Sequence, residues 1–187
     1  MAAEFCFRRR CGLVCFYVVM LFGFSAFSEE KLLGLDEPKE FCGFYFDCHM
    51  HTAITSVRKT KTIGDKIANG EFYIVKVKIF SDAKQVALGL HGPKLYVIDD
   101  GGRRYPRAGD VEAPDPQFDQ KIPAGGSFEK EVVFDLPKDV KNARLDIAEG
   151  IGIDKVIESV LVGDEDSIFH KRNYFKLEEQ THTAAVQ

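Results

Sequence analysis

Glu71-Phe72-Tyr73-Ile74-Val75-Lys76-Val77-Lys78-Ile79-Phe80-Ser81-Asp82 is the stretch whose reading decides the fold. Tyr73, Val75, Val77 and Ile79 share one face of an extended chain, and Lys76 and Lys78 share the other. A period of two marks a strand buried on one side. Ser127 to Leu136 repeats the pattern: Phe128, Val132, Phe134 and Leu136 point one way, and Glu129, Glu131 and Asp135 the other. Lys130 interrupts the apolar face, as a residue at an open end or one that snorkels would. Asn142 to Ala148 gives a third strand, with Leu145 and Ile147 inward and Arg144 and Asp146 outward.

Turn chemistry separates these runs. Asp99-Asp100-Gly101-Gly102 lies between Leu95-Tyr96-Val97-Ile98 and Arg104-Tyr105, a hairpin signal. Pro123-Ala124-Gly125-Gly126 precedes the Ser127 strand, and Pro137 ends it, because proline cannot donate to a central ladder. His49 to Lys59 reads as a further strand, and Pro106 to Pro123 as a long surface loop. A helical period is not sustained anywhere after residue 28; Ile153 to Val162 is the best candidate for a short helix. Short strands at turn-bounded spacing predict an all-β protein, an immunoglobulin-like antiparallel β-sandwich.

Outward from this domain, the N-terminus carries Arg8, Arg9 and Arg10 directly before an apolar run from Cys11 to Phe27. Positive charge followed by such a run reads as a secretory signal or a membrane anchor. The core from Gly12 to Phe24 has signal length, whereas a spanning helix needs about 20 apolar residues. Ala26 and Ser28 place small residues at −3 and −1 of a cleavage site before Glu29. The cleaved reading is preferred, with retention as an anchor helix over residues 11–27 the alternative. A lipoprotein reading fails, because Leu13-Val14-Cys15 lacks small residues before the cysteine. The expected organisation is residues 1–28 as signal or anchor, 29–41 as linker, 42–177 as the sandwich and 178–187 as a disordered tail. The expected location is extracytoplasmic: secreted, periplasmic or membrane-tethered.

Removal of residues 1–28 leaves 22 basic and 28 acidic residues, a charge of −6. Mild acidity with interspersed charges gives no electrostatic footprint for nucleic acid. The cysteine arithmetic also changes. Cys6, Cys11 and Cys15 belong to the N-terminal segment, so Cys42 and Cys48 remain as a pair in an oxidising compartment. A bridge between them would close a short loop, worth about 2 kcal/mol on the chain-entropy model. Two free or metal-bound thiols are the alternative.

Several pieces resemble a known family. Gly70-Glu71-Phe72-Tyr73-Ile74-Val75-Lys76-Val77 resembles the opening strand of a bacterial family of secreted or membrane-anchored immunoglobulin-like sandwiches of unknown function. Leu95 to Tyr105 is similar to its strand–Asp–Gly–Tyr hairpin. Ile122 to Ser127, followed by Val132-Val133-Phe134-Asp135-Leu136-Pro137, is similar to its proline–glycine turn and the strand after it. The family is similar in architecture to a mycobacterial secreted immunoprotective antigen. The resemblance spans about Cys48 to Leu177 and implies a fold; it brings no catalytic residues, and fold analogy does not supply a function.

Candidate sites are few. His49 and His51 share a strand face beside Asp47 and Cys48, a composition that could ligate Zn²⁺ or Cu²⁺. The spacing matches no standard zinc module, and two surface histidines are the preferred reading. Asp99 and Asp100, then Asp110, Glu112 and Asp115, then Asp164, Glu165 and Asp166 recur in turns. Calcium would need 6–8 oxygen ligands brought together, while turn formation alone accounts for Asp and Gly there. Phe44 and Tyr45, with Phe41 and Phe46, are either core cover or an aromatic contact patch for a partner. Gly150-Ile151-Gly152 is too short for a dinucleotide fingerprint, and Gly125-Gly126-Ser127 is not a nucleophile elbow. The expected function is therefore non-catalytic binding of a protein or envelope component, with no cofactor, no nucleic acid, and membrane contact only through an uncleaved N-terminal segment. The alternative is a metal-dependent or otherwise unrecognised extracytoplasmic enzyme.

Overall fold

A computed structural model describes residues 30–43, 47–90, 92–109, 117–148 and 173–178, with only the backbone of residues 42, 43, 47 and 48. Among the described residues nine strands follow in order: β1 (Lys31–Leu33), β2 (Lys39–Gly43), β3 (Asp47–Ile63), β4 (Lys66–Ser81), β5 (Lys94–Ile98), β6 (Arg104–Tyr105), β7 (Ser127–Leu136), β8 (Arg144–Ala148) and β9 (Asn173–Lys176). They form a five-stranded sheet in the order β1-β9-β8-β5-β6 and a four-stranded sheet in the order β2-β3-β4-β7. Every named pairing is antiparallel except β1 with β9, which is parallel. The molecule is all-β among the described residues, as the period-two runs require, and its two sheets share one core.

The predicted inward faces are the core. Val75, Val77 and Ile79 of β4, Val132, Phe134 and Leu136 of β7, and Leu145 and Ile147 of β8 are buried together with Ile54, Leu95, Val97 and Phe175. Lys130 is half-buried, and its Nζ lies 5.3 Å from the centroid of the buried Phe118 ring, a cation–π contact. The Asp99–Gly102 turn joins β5 to β6, with the Gly102 N–H donating to Asp99 O at 3.0 Å. In the turn before β7 the Gly126 N–H donates to Pro123 O at 2.8 Å, and Gly125 takes φ 68°. That positive φ at the third position is what a type II turn demands of glycine.

One expectation needs correction and another is refined. The segment 29–41 is not a plain linker: it holds β1 and most of β2, one in each sheet. Leu33 and Phe41 are core residues. The crossing between them is held by Asp36, in the left-handed region at φ 59°, whose N–H donates to Ile54 O at 2.9 Å. Strands of three and five residues show too few alternations to stand out from a polar stretch. The refinement concerns Pro106–Pro123. Its described residues are mostly exposed, as a surface loop's are, but the loop is anchored: Arg107 bridges to Phe134, Ile122 exchanges both backbone hydrogen bonds with Leu88, and Phe118 is buried. The apolar run 11–27, the helix expected over residues 153–162 and the tail from residue 179 lie outside the described residues.

Candidate functional site

β3 is 17 residues long and runs beside β4 for almost its full length. Its first few residues carry the two histidines named above. Alternation puts His49 and His51 on the face opposite the core residues Met50 and Ile54. Met50 pairs with Ser81, so the next position of β3's partner chain, Asp82, stands across from His49 and diagonal to His51. Cross-strand and diagonal neighbours are within side-chain reach.

The Asp82 carboxylate lies between the two imidazoles. Oδ1 meets His49 Nδ1 at 2.5 Å, and Oδ2 lies 3.4 Å from His51 Nε2. His49 and Asp82 are about half exposed, whereas the His51 side chain is 10% exposed and stacks on Phe80 with centroids 5.0 Å apart. His51 Nδ1 is buried with no hydrogen-bond partner. The hydrogen bond with His49, reinforced by the positive potential of both rings, holds the Asp82 carboxyl below the ordinary aspartate range. Burial acts the other way and is outweighed.

The sequence placed the histidines on one face but could not find Asp82, which lies 33 residues from His49 and is brought in only by register. Among the described residues no group of three or more His, Cys, Asp or Glu is arranged to hold a metal ion. Cys42 and Cys48 lie on β2 and β3, in the interval between the pairs Phe41↔Met50 and Gly43↔Asp47 where the register shifts. Their side chains, and Phe44 and Tyr45 altogether, lie outside the described residues.

A second polar cluster sits at the β5–β6 hairpin. Asp99, 2% exposed, accepts from the Arg103 N–H at 2.9 Å, Arg103 Nε at 2.7 Å and the Tyr105 hydroxyl at 3.0 Å. Burial alone would raise its carboxyl; these three donors outweigh it and hold Asp99 below the ordinary range. Asp100 accepts from Asn142 Nδ2 at 2.6 Å. Asp99 and Asp100 thus organise this corner of the sheet through these hydrogen bonds. Asp110, Glu112, Asp115 and Asp164–Asp166 lie outside the described residues. Beside this corner a cavity of about 220 Å³ is lined by Leu32, Asn142, Arg144 and Lys176, below the range of about 300–1,000 Å³ usual for small-molecule sites.

At the other end of the β3–β4 ribbon the two strands run on alone. β7 pairs with β4 only from Glu71 onward, so residues 61–68 are a two-stranded ribbon closed by Gly64-Asp65, with Gly64 at φ 55°. Ile67 on it is 80% exposed and Ile63 36%. Lys61 and Lys66 flank them and are exposed.

No family model matches the chain, and no curated protein matches it. Two solved structures are similar to it. One is MPT63, a secreted protein from Mycobacterium tuberculosis, at 10% identity and a TM-score of 0.44, over 66% of this chain and 99% of that one. The other is the yjhA protein from Bacillus subtilis, at 12% identity and a TM-score of 0.39, over 61% of this chain and 78% of that one.

Proposed function

We propose that this protein is a non-catalytic binding module displayed outside the cytoplasm, and that it contacts a protein partner through the free end of the β3–β4 ribbon. The observation that carries the reading is the exposure of Ile67 and Ile63 on a ribbon that extends past its neighbouring strand. A large aliphatic side chain left in water on a two-stranded projection has no role in the core, and apolar surface of this kind is what interfaces bury. The extracytoplasmic placement rests on Arg8–Arg10 and the apolar run after them. The test is capture from the envelope fraction with the wild-type domain and with Ile67→Asp as bait. A specific protein retained by the wild type and lost with Ile67→Asp supports the reading. Equal capture by both, or a reproducible turnover by the purified domain that chelation abolishes, overturns it. Sequencing the N-terminus of the exported chain tests the placement separately: a start at Glu29 is expected.

A further inference from the structure

We infer that the protein partner of the β3–β4 ribbon is concave: a cleft with one apolar wall and one acidic wall, which takes up the ribbon tip between them. The inference rests on the proposal that the ribbon end meets a protein, and it names the chemistry of what that end meets.

Register divides the tip into two faces. Thr62 pairs with Ile67, and Ile63 pairs with Lys66. Paired residues of an antiparallel ladder put their side chains on the same side, and successive residues on opposite sides. Ile67 therefore shares one face with Thr62. Ile63 shares the other with Lys66 and, two residues back along β3, with Lys61. One face is aliphatic and uncharged; the other sets an isoleucine beside two lysines. Every residue from 61 to 67 is exposed, so both faces stand in water. Lys61 and Lys66 form no ion pair among the described residues. Arg58, further back on β3, is by contrast held by both oxygens of Glu131, at 3.2 and 3.0 Å.

A flat partner would leave one of these faces unused. Lying on the face of Ile63, it would leave Ile67, 80% exposed, in water; lying on the face of Ile67, it would leave Ile63 and both lysines there. Either face alone offers only a few side chains, against about 20–30 residues on each side of a standard stable interface. Insertion buries both faces at once. The overhang has the reach for it: residues 61–63 and 66–68 form its arms, and at about 3.3 Å per residue they project by about 10 Å. The two-residue connection Gly64-Asp65 keeps the leading end narrow. Charge then orients the tip. The chain as a whole carries −4, whereas this projection sets two lysines against the one carboxylate of Asp65 in its turn. Lysines gathered on one face select carboxylates in the wall opposite them, and the uncharged Ile67 face selects an apolar wall.

The experiment measures how much of one specific protein of the envelope fraction is retained by the full chain, by Ile67→Asp, by Ile63→Asp and by Lys61→Glu combined with Lys66→Glu, each variant first matched to wild type in its urea midpoint. Retention is expected to fall about tenfold in each of the three variants, and wild-type retention to weaken as salt is raised. A photo-crosslinking side chain placed at position 63, and in a second chain at position 67, is expected to join the same protein from both faces. Retention that depends on Ile67 but is undiminished in Ile63→Asp, or in the double lysine variant, would mean a flat one-faced contact and would overturn the cleft while leaving the ribbon proposal standing; so would crosslinking from position 67 alone. Equal retention by wild type and Ile67→Asp overturns both.

Discussion

At Gly70 the chain passes so close to the end of β7 that a side chain has no room. A Cβ there would press on Leu136 O and stand 2.6 Å from Lys138 N, both backbone atoms that cannot rotate away. The neighbouring Asn69 N–H donates to Asp135 Oδ1 at 2.9 Å, which pins the same crossing from the other side. Gly70→Ala should therefore cost about 1–3 kcal/mol, the usual penalty for overpacking, read as a lower urea midpoint at unchanged slope. Asp99 makes a second residue-scale prediction. Its carboxyl is held below the ordinary range in the folded state, so its contribution is fully present above the unfolded value of about 3.9. That contribution is lost as pH falls through the lowered folded value. Asp99→Asn should lower the melting temperature at neutral pH and make the loss of stability on acidification less steep. Asp82, also held below the ordinary range, carries the same sign. An unchanged acid profile in Asp99→Asn would show that the hairpin does not depend on its charge.

Among the elements, the long β3–β4 ribbon is where the sequence spoke most clearly and where the function reading rests. Ile67→Lys should leave the urea midpoint within about 0.5 kcal/mol of wild type, as for a surface site, while abolishing partner capture. Phe118→Ala should instead cost about 3–5 kcal/mol, because the ring is buried against Phe128 at 6.0 Å between centroids. The two residues show what sequence can and cannot say. Val75, Val77 and Ile79 announce their face by repetition. Phe118 stands among charged residues and prolines with no period, and only its tertiary neighbours make it core. The same holds at the histidine cluster. His49 and His51 were legible because i and i+2 on a strand share a face. Asp82 was not, because pairing Met50 with Ser81 is a register choice that no local pattern encodes. The buried Lys39 of β2, whose Nζ donates to Ile147 O of β8 at 2.8 Å, was missed for a related reason: lysine is almost never fully buried, and what receives it lies on the other sheet.

For the whole molecule, two sheets around one core follow from period-two strands and turn chemistry, and that much was legible. The membership of each strand was not, most plainly for the segment 29–41, which looks like a polar connector yet holds β1 of one sheet and most of β2 of the other. A domain boundary drawn at residue 42 would delete Leu33, which is fully buried in the shared core. Leu33→Ala should cost about 2–5 kcal/mol, and a chain begun at residue 42 should show a broadened or lost thermal transition compared with one begun at residue 29. A fully cooperative transition in the shorter chain would show that β1 is dispensable.

The parallel pairing of β1 with β9 has a mechanical consequence. Lys31, Leu32 and Leu33 lie against Asn173, Tyr174 and Phe175 in register, pointing the same way. Load applied at residue 30 and at residue 178 would pull the two strands lengthwise past each other. Their hydrogen bonds would resist together in shear, whereas those of an unzipping hairpin break in succession. A domain tethered at one end and tugged at the other would meet that force across β1 and β9.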